Sequence, residues 1–376
     1  MSLVTIILPA YNAEKTIARA IQSARCQEYS DLEIIVIDDG SSDSTLNICN
    51  ALADKDNRLK IWHINNSGPS AARNYGLSQA KGEFICFMDA DDEMSPTMIS
   101  QLVSNMQDDT DLVACGYKVR SNNGDYAFEQ KLDDKSYPNN RLYEFIENLQ
   151  EAKAFNPLWN KIFRRSIIND NNIKMDTTVD MGEDYLFVVD YCEKSEKDFK
   201  ALSSSLYIYE LSNNGLQVSA NKNNNLKRRL SQLDKLENLF KRRNYPMNAI
   251  YKEKLRIIYT SLLESNDLHN DLIEVLKNGY LDDLIHSNIN LGKKYTVFLE
   301  ILKSRHIGVA YFSMNIFRAV KKYKENVLTG DDMKLSKNLQ ILFIALAIIP
   351  FFQSTIGYKY PILGLGVQYS RYFSLE

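Results

Sequence analysis

The sequence predicts an α/β protein built on a doubly wound sheet, followed by a helical C-terminal region. Three observations carry this. Over the first hundred residues, short apolar runs alternate with amphipathic stretches of helical period. Polar clusters stand at the C-terminal end of each run, where ligands of such sheets gather. From about residue 221 long helical patterns dominate and strand signals fade.

Residues 4–8 (VTIIL) are rich in β-branched side chains and stop at Pro9. The opening MSLVTIILPAYN has no basic n-region, so this run reads as a strand and not as a signal peptide. Residues 13–26 place Ile17, Ala20, Ile21 and Ala24 on one helical face. Residues 32–37 (LEIIVI) form a second strand bounded by Asp38, Asp39 and Gly40. Nearly continuous apolar runs suit strands covered on both faces. A helix over 43–54, a strand over 59–64, a helix over 70–79 with Ser70 as its cap, and a strand over 83–88 complete a βαβαβαβ pattern.

Beyond residue 100 the pattern is mixed. Strands are expected over 112–117, 126–128 and 206–209, and a helix over 142–149. Residues 155–168 are apolar and basic around Trp159, Asn160 and Lys161. A Gly-Glu-Asp turn at 182–184 leads into a helix reaching Cys192. The Asn-rich tract 221–225 marks a boundary, giving domains 1–220 and 221–376.

With 376 residues, 44% hydrophobic and 25% charged, the chain is neither disordered nor too short for a sizeable core. A net charge of -3 excludes a whole-molecule nucleic-acid binder. Five cysteines lie among apolar neighbours with no CxxC spacing, which reads as free buried thiols and a cytoplasmic setting.

Chemistry concentrates at the strand ends. Asp89-Ala90-Asp91-Asp92 places carboxylates at i and i+2, able to converge on one hard cation such as Mg²⁺ or Mn²⁺. An acidic loop capping the next helix is the alternative. Asp39 ends the second strand as an acceptor for ribose or base donors, while Asp43 reads as a helix cap. After Asn65-Asn66-Ser67-Gly68-Pro69-Ser70, Arg73 sits in the first helical turn. Its planar fork suits phosphate or carboxylate, and a plain surface arginine is the alternative. Glu183-Asp184 is either a catalytic pair or an acidic pair favoured by the helix dipole.

In this order and spacing, Leu8-Pro9-Ala10-Tyr11-Asn12, Asp38 to Thr45, Asn65 to Asn74 and Asp89 to Asp92 closely resemble the inverting family 2 glycosyltransferases of the GT-A fold. The resemblance extends more loosely to Tyr209, with residues 159–165 and 182–187 similar to the family's acceptor-side segments. It implies a GT-A doubly wound mixed sheet. It further implies that Pro9, Tyr11 and Asp39 hold the uracil and ribose of a UDP-sugar, and that Asn66 and Arg73 contact the nucleotide end. Asp89 would lie near the ribose or donor sugar and Asp91 would ligate the divalent metal. Asp184 would be the catalytic base, with Glu183 helping to bind a saccharide or lipid-linked saccharide acceptor. Glu210 departs from the pattern, because many relatives carry a basic residue there; Lys161 is the candidate cation on the donor side in its place.

Residues 293–324 carry eight basic side chains among aromatics, which suits an anionic membrane surface or the solvated face of a bundle. Residues 338–358 carry no charge, and their apolar core 339–352, interrupted only by Gln340, is too short for a span. They read as an interfacial helix, a buried helix or a homo-oligomer contact, which together suggests peripheral attachment at the inner face of the cell membrane. Two rivals stand beside the transferase. A sugar nucleotidyltransferase needs a Gly-rich basic loop after the first strand, which is absent from residues 8–12. A non-catalytic saccharide-binding or scaffold subunit with a transferase fold has only Glu210 in its favour.

Overall fold

The computed structural model describes residues 2–121, 124–179, 181–211, 226–277, 280–281, 298–299, 301–303, 307–308, 310–311, 313–315 and 317–318. Among them, ten strands form one mixed sheet. Its parallel half runs in the order β3 (Leu59–Ile64), β2 (Leu32–Asp39), β1 (Val4–Ala10), β4 (Phe84–Phe87). The order reverses at β1, so the C-terminal ends of β1, β2 and β4 open a crevice there. The strands form because their apolar runs are buried on both faces: all eight residues of β2 and all four of β4 are buried.

Helices cover the sheet. In α1 (Ile17–Arg25) the residues Ile17, Ala20, Ile21 and Ala24 are buried at 3- and 4-residue spacing. Each fully buried isoleucine contributes about 1.5–3 kcal/mol over an exposed one. Helix α2 (Thr45–Ala53) starts where the Asp43 carboxylate accepts from the Thr45 amide at 2.9 Å. Helix α3 (Pro69–Gln79) starts at Pro69, one residue before the cap expected at Ser70. The reason is tertiary: the Asp39 carboxylate, on β2, accepts from the Ser67 and Gly68 amides at 2.8 and 2.9 Å. Pro69 then takes the first helical position, where its missing N–H costs nothing.

The second half of the sheet is the mixed part. Strand β6 (Thr110–Arg120) runs parallel to β10 (Asp198–Glu210), and β9 (Lys161–Arg164) lies antiparallel between β4 and β6. The two-residue β5 (Glu93–Met94) pairs with β10, as does β8 (Lys135–Tyr137), and β7 (Tyr126–Gln130) pairs with β6. Helices α4 (Met98–Ser104), α5 (Leu142–Glu151), α6 (Arg165–Asp170) and α7 (Glu183–Lys194) complete this part.

After the Asn-rich tract, α8 (Leu226–Arg242) buries Leu226, Leu230, Leu233 and Leu236. It is tied to α7 by Lys235–Asp190 and Arg242–Glu193 ion pairs of 2.5 and 2.7 Å. The chain divides into compact units of residues 1–254 and 255–376, with the division inside α9 (Asn248–Glu264). In the second unit, α10 (Leu268–Lys277) follows, and Tyr259 meets the Phe298 and Phe317 rings at 5.0 and 5.8 Å. Residues 221–225, most of 293–324 and all of 338–358 lie outside the described residues. No helix among the described residues is long and apolar enough to cross a membrane. All five cysteines are free; four are buried, whereas Cys26 is exposed because it follows the last turn of α1, past its apolar face.

Candidate active site

Two groups of side chains meet at the crevice. The first sits where the chain leaves β1 and β2. Asn12, in the left-handed region at φ 46°, donates its amide to Ser41 Oγ at 2.9 Å. Its Oδ1 accepts from the Ser42 amide at 2.9 Å. This ties the two loops together beneath Tyr11, whose side chain is 52% exposed and open to stack on a planar ligand. Pro9 is half-buried in β1 and Asn66 is exposed. At Gly40 (φ 72°) a side chain would stand 2.7 Å from the Asn66 backbone nitrogen, so the bare glycine lets the loops after β2 and β3 touch. Asp39 is buried and spends one lone pair of each oxygen on the Ser67 and Gly68 amides. It braces the loop that carries Asn66.

The second group surrounds Arg73, one turn into α3. Its guanidinium is buried between three carboxylates: Asp89 at 2.8 Å, Asp184 at 3.3 Å and Glu183 at 3.7 Å. Asp89 follows β4 and Glu183 and Asp184 open α7, so one arginine joins the acidic loop to the helix start across more than ninety residues of sequence. Burial opposes its charge, and Asp184, Asp89 and Glu183 outweigh that and raise its pKa. Among the described residues its Nε is buried with no hydrogen-bond partner, and the three carboxylates hold its other nitrogens. Burial pushes the Asp184 carboxyl up to about 7 against the pull of Arg73, with Glu183 and Asp89 adding to the rise.

The acidic loop is a tight turn, closed by the Asp92 amide on the Asp89 carbonyl at 3.3 Å. Asp91 is half-buried, and burial followed by the Asp89 charge raises its pKa. An Asp91 carboxylate disfavoured in this way suits a divalent cation beside it. Among the described residues no three His, Cys, Asp or Glu side chains form a metal cage of their own.

The Lys161 ammonium is taken up by its own loop. Its Nζ is fully buried and donates to the carbonyls of Ala154 and Pro157 at 2.6 and 2.5 Å and to Asn160 Oδ1 at 2.8 Å. Burial lowers its pKa to about 7, yet three acceptors call for all three ammonium protons. Its neighbour Asn160 bonds the carbonyls of Cys115 and Ala154. Both polar residues of the Trp-Asn-Lys segment therefore fasten the 154–160 loop. Glu210 is paired with Arg19 at 3.3 Å and with Arg120, and Arg19 also donates to the Asp91 carbonyl at 2.7 Å. Arg19 and the Tyr207 hydroxyl were not singled out from the sequence. Arg19 lies on the polar side of an ordinary amphipathic helix, and nothing in its spacing marks it.

The family model for "Glycosyl transferase family 2" matches residues 5–171. The uncharacterized glycosyltransferase EpsJ of Bacillus subtilis is 33% identical over 216 residues, which are 57% of this chain and 62% of EpsJ. The chain thus spans less than two thirds of that relative. Among solved structures, residues 1–349 of TarS from S. aureus in complex with UDP-GlcNAc match with a TM-score of 0.58 at 19% identity, over 84% of this chain and 91% of that one. A mannosyltransferase from Pyrobaculum calidifontis, solved with GDP-Man and Mn²⁺, matches with a TM-score of 0.51 at 16% identity, over 82% and 86%. These likenesses establish a GT-A-like fold for the mixed sheet. Its residues 5–171, which carry the crevice, Arg73 and the acidic loop, match the model of glycosyl transferase family 2.

Proposed function

We propose that the protein is an inverting glycosyltransferase that moves a sugar from a nucleoside diphosphate, best read as a UDP-sugar, to a hydroxyl of a saccharide or lipid-linked saccharide. The observation that supports this most is the Arg73 cluster, which gathers Asp89, Glu183 and Asp184 at the ends of β4 and α7. In this reading Tyr11 and Pro9 flank the base, and Asp39 and Asn66 serve the ribose and nucleotide end. Asp91 holds Mn²⁺ or Mg²⁺. When bound, the cation supplies charge neutralisation for the departing diphosphate. Asp184 accepts the proton of the acceptor hydroxyl as that oxygen attacks the anomeric carbon, and a single attack inverts the configuration. Its raised pKa suits a base working near neutrality. Glu183 orients the acceptor, and Arg73 keeps the two acids from repelling each other. Peripheral placement at the inner face of a membrane belongs to the same reading and rests on the basic, aromatic composition of residues 293–324.

The first experiment is calorimetric titration with UDP-, GDP- and dTDP-sugars, with and without Mn²⁺. Metal-dependent binding of one UDP-sugar is expected and names the donor. If no nucleotide binds in the presence of metal, the transferase reading falls. Once the donor is known, Asp184→Asn is expected to lower transfer by about 10²–10⁴-fold, the range for a lost general base. Asp91→Ala is expected to abolish metal-dependent donor binding. Appreciable transfer by Asp184→Asn would remove that residue as the base.

A further inference from the structure

The acidic loop is held from below by an aromatic hydroxyl. Tyr207 lies in β10, fully buried. Its hydroxyl accepts a hydrogen bond from the Asp89 amide at 3.1 Å and donates one to Asp92 Oδ2 at 2.7 Å. One oxygen therefore fastens both ends of the turn 89–92. The other oxygen of Asp92 accepts from the Glu210 amide at 2.8 Å, on the same strand. The Tyr207 ring is itself fixed: Trp159 lies flat against it, with centroids 4.4 Å apart and planes inclined by 10°. Trp159 also stacks on Tyr209 at 5.9 Å and meets Tyr117 edge-on at 5.1 Å. Asp92 is fully buried and its carboxylate is occupied by these bonds, so it points away from any ligand that Asp91 would meet.

We propose that Tyr207 is a positioning residue for the divalent cation. It fixes the backbone of Asp89 and the side chain of Asp92, and so aims the Asp91 carboxylate between them. This rests on the metal-dependent donor site proposed above. A carboxylate anchored at only one end of a four-residue turn rotates away from the cation more readily than one anchored at both. Groups behind a metal ligand commonly contribute 10–100-fold to metal affinity. The Trp159 stack gives the segment 159–161 a task different from acceptor binding, as the buttress that sets the direction of the Tyr207 hydroxyl.

The test is Tyr207→Phe in the full chain. It keeps the ring and its stack on Trp159 and removes only the hydroxyl. Mn²⁺ affinity is measured by electron paramagnetic resonance of free Mn²⁺ in the presence of UDP, and thermal unfolding is followed in parallel. A 10–100-fold loss of Mn²⁺ affinity is expected, together with a matching rise in the Mn²⁺ concentration for half-maximal transfer and full recovery of the rate at saturating metal. Tyr117→Phe removes a hydroxyl from the same aromatic cluster without touching the turn, and is expected to leave Mn²⁺ affinity unchanged. Wild-type affinity in Tyr207→Phe would overturn the proposal, as would an equal loss in Tyr117→Phe, which would mean that general softening of the core is responsible. If the wild-type protein itself binds no Mn²⁺ with UDP, the metal reading of the whole site falls, and this proposal with it.

Discussion

Arg73 holds three carboxylates, and one of them is the proposed base. A carboxylate must be ionised to accept a proton, so transfer requires Asp184 in its charged form. Burial raises its pKa to about 7, so activity is expected to be lost as the pH falls through 7 and to be present above it. Arg73 acts in the opposite direction to burial, favouring the carboxylate at 3.3 Å. Arg73→Gln is therefore expected to move the acid limb of the pH–rate profile upward. A displacement of one unit corresponds to about a tenfold loss of rate at a pH below both limbs and to none well above them. Rate measurements from pH 5.5 to 9 separate this from a plain loss of donor binding, which lowers the whole profile without moving its limb. An unmoved limb would mean that Arg73 does not act on Asp184. The composition of this cluster was legible in the sequence and its geometry was not. A guanidinium one turn into a helix suits phosphate or carboxylate equally well, and only the folded chain shows Asp89 at 2.8 Å from it.

The same limit appears at the level of elements. Strands β1, β2 and β4 were legible because each is an almost wholly buried apolar run, and β3 as a short run rich in apolar residues at the sheet edge. Strands β5, β8 and β9 were not, because two to four residues give no alternation and their pairing partners are distant in sequence. The Gly-Glu-Asp turn was visible, but not what fixes it. Gly182 sits before α7 at φ 90°, and the Gln232 side chain of α8 fills the place where a Cβ would stand, 2.5 Å away. Gln232 also donates to the Met181 carbonyl. The first helix after the Asn-rich tract thus packs on the turn that presents Glu183 and Asp184. Gly182→Ala is expected to destabilise the protein by about 1–2 kcal/mol through the left-handed backbone alone, and further by displacing Gln232. Urea unfolding should show a lower midpoint with an unchanged slope. Adding Gln232→Ala is expected to recover the steric part and to leave the backbone part. No change on Gly182→Ala would refute the account of this turn.

For the whole molecule, the site is assembled from four stretches: 9–12, 39–42, 65–73 and 89–92, with 183–184 brought to them by α7. Each stretch is a loop at the end of a strand or the start of a helix, which leaves Tyr11 and Asn66 exposed beside the buried Asp39 and Arg73. Burial and the neighbouring Asp89 charge disfavour the ionised Asp91, and in the proposed reading a cation with a diphosphate relieves this. Ligands that bind only the folded chain stabilise it by mass action, by about 2.7 kcal/mol at a concentration one hundred times the dissociation constant. For a unit of 150–250 residues each kcal/mol raises the unfolding midpoint by about 2–4 °C, so UDP with Mn²⁺ is expected to add about 5–10 °C. Calorimetric scans with UDP alone, Mn²⁺ alone and both together check this. The two ligands should act together, because phosphate oxygens complete a coordination shell that Asp91 only begins. The joint increment should vanish with a chelator and in Asp91→Ala, while any smaller effect of UDP alone, which rests on Tyr11 and the 65–68 loop, should survive both. Equal shifts for UDP with and without Mn²⁺ would place the nucleotide in the crevice but deny the cation its role there.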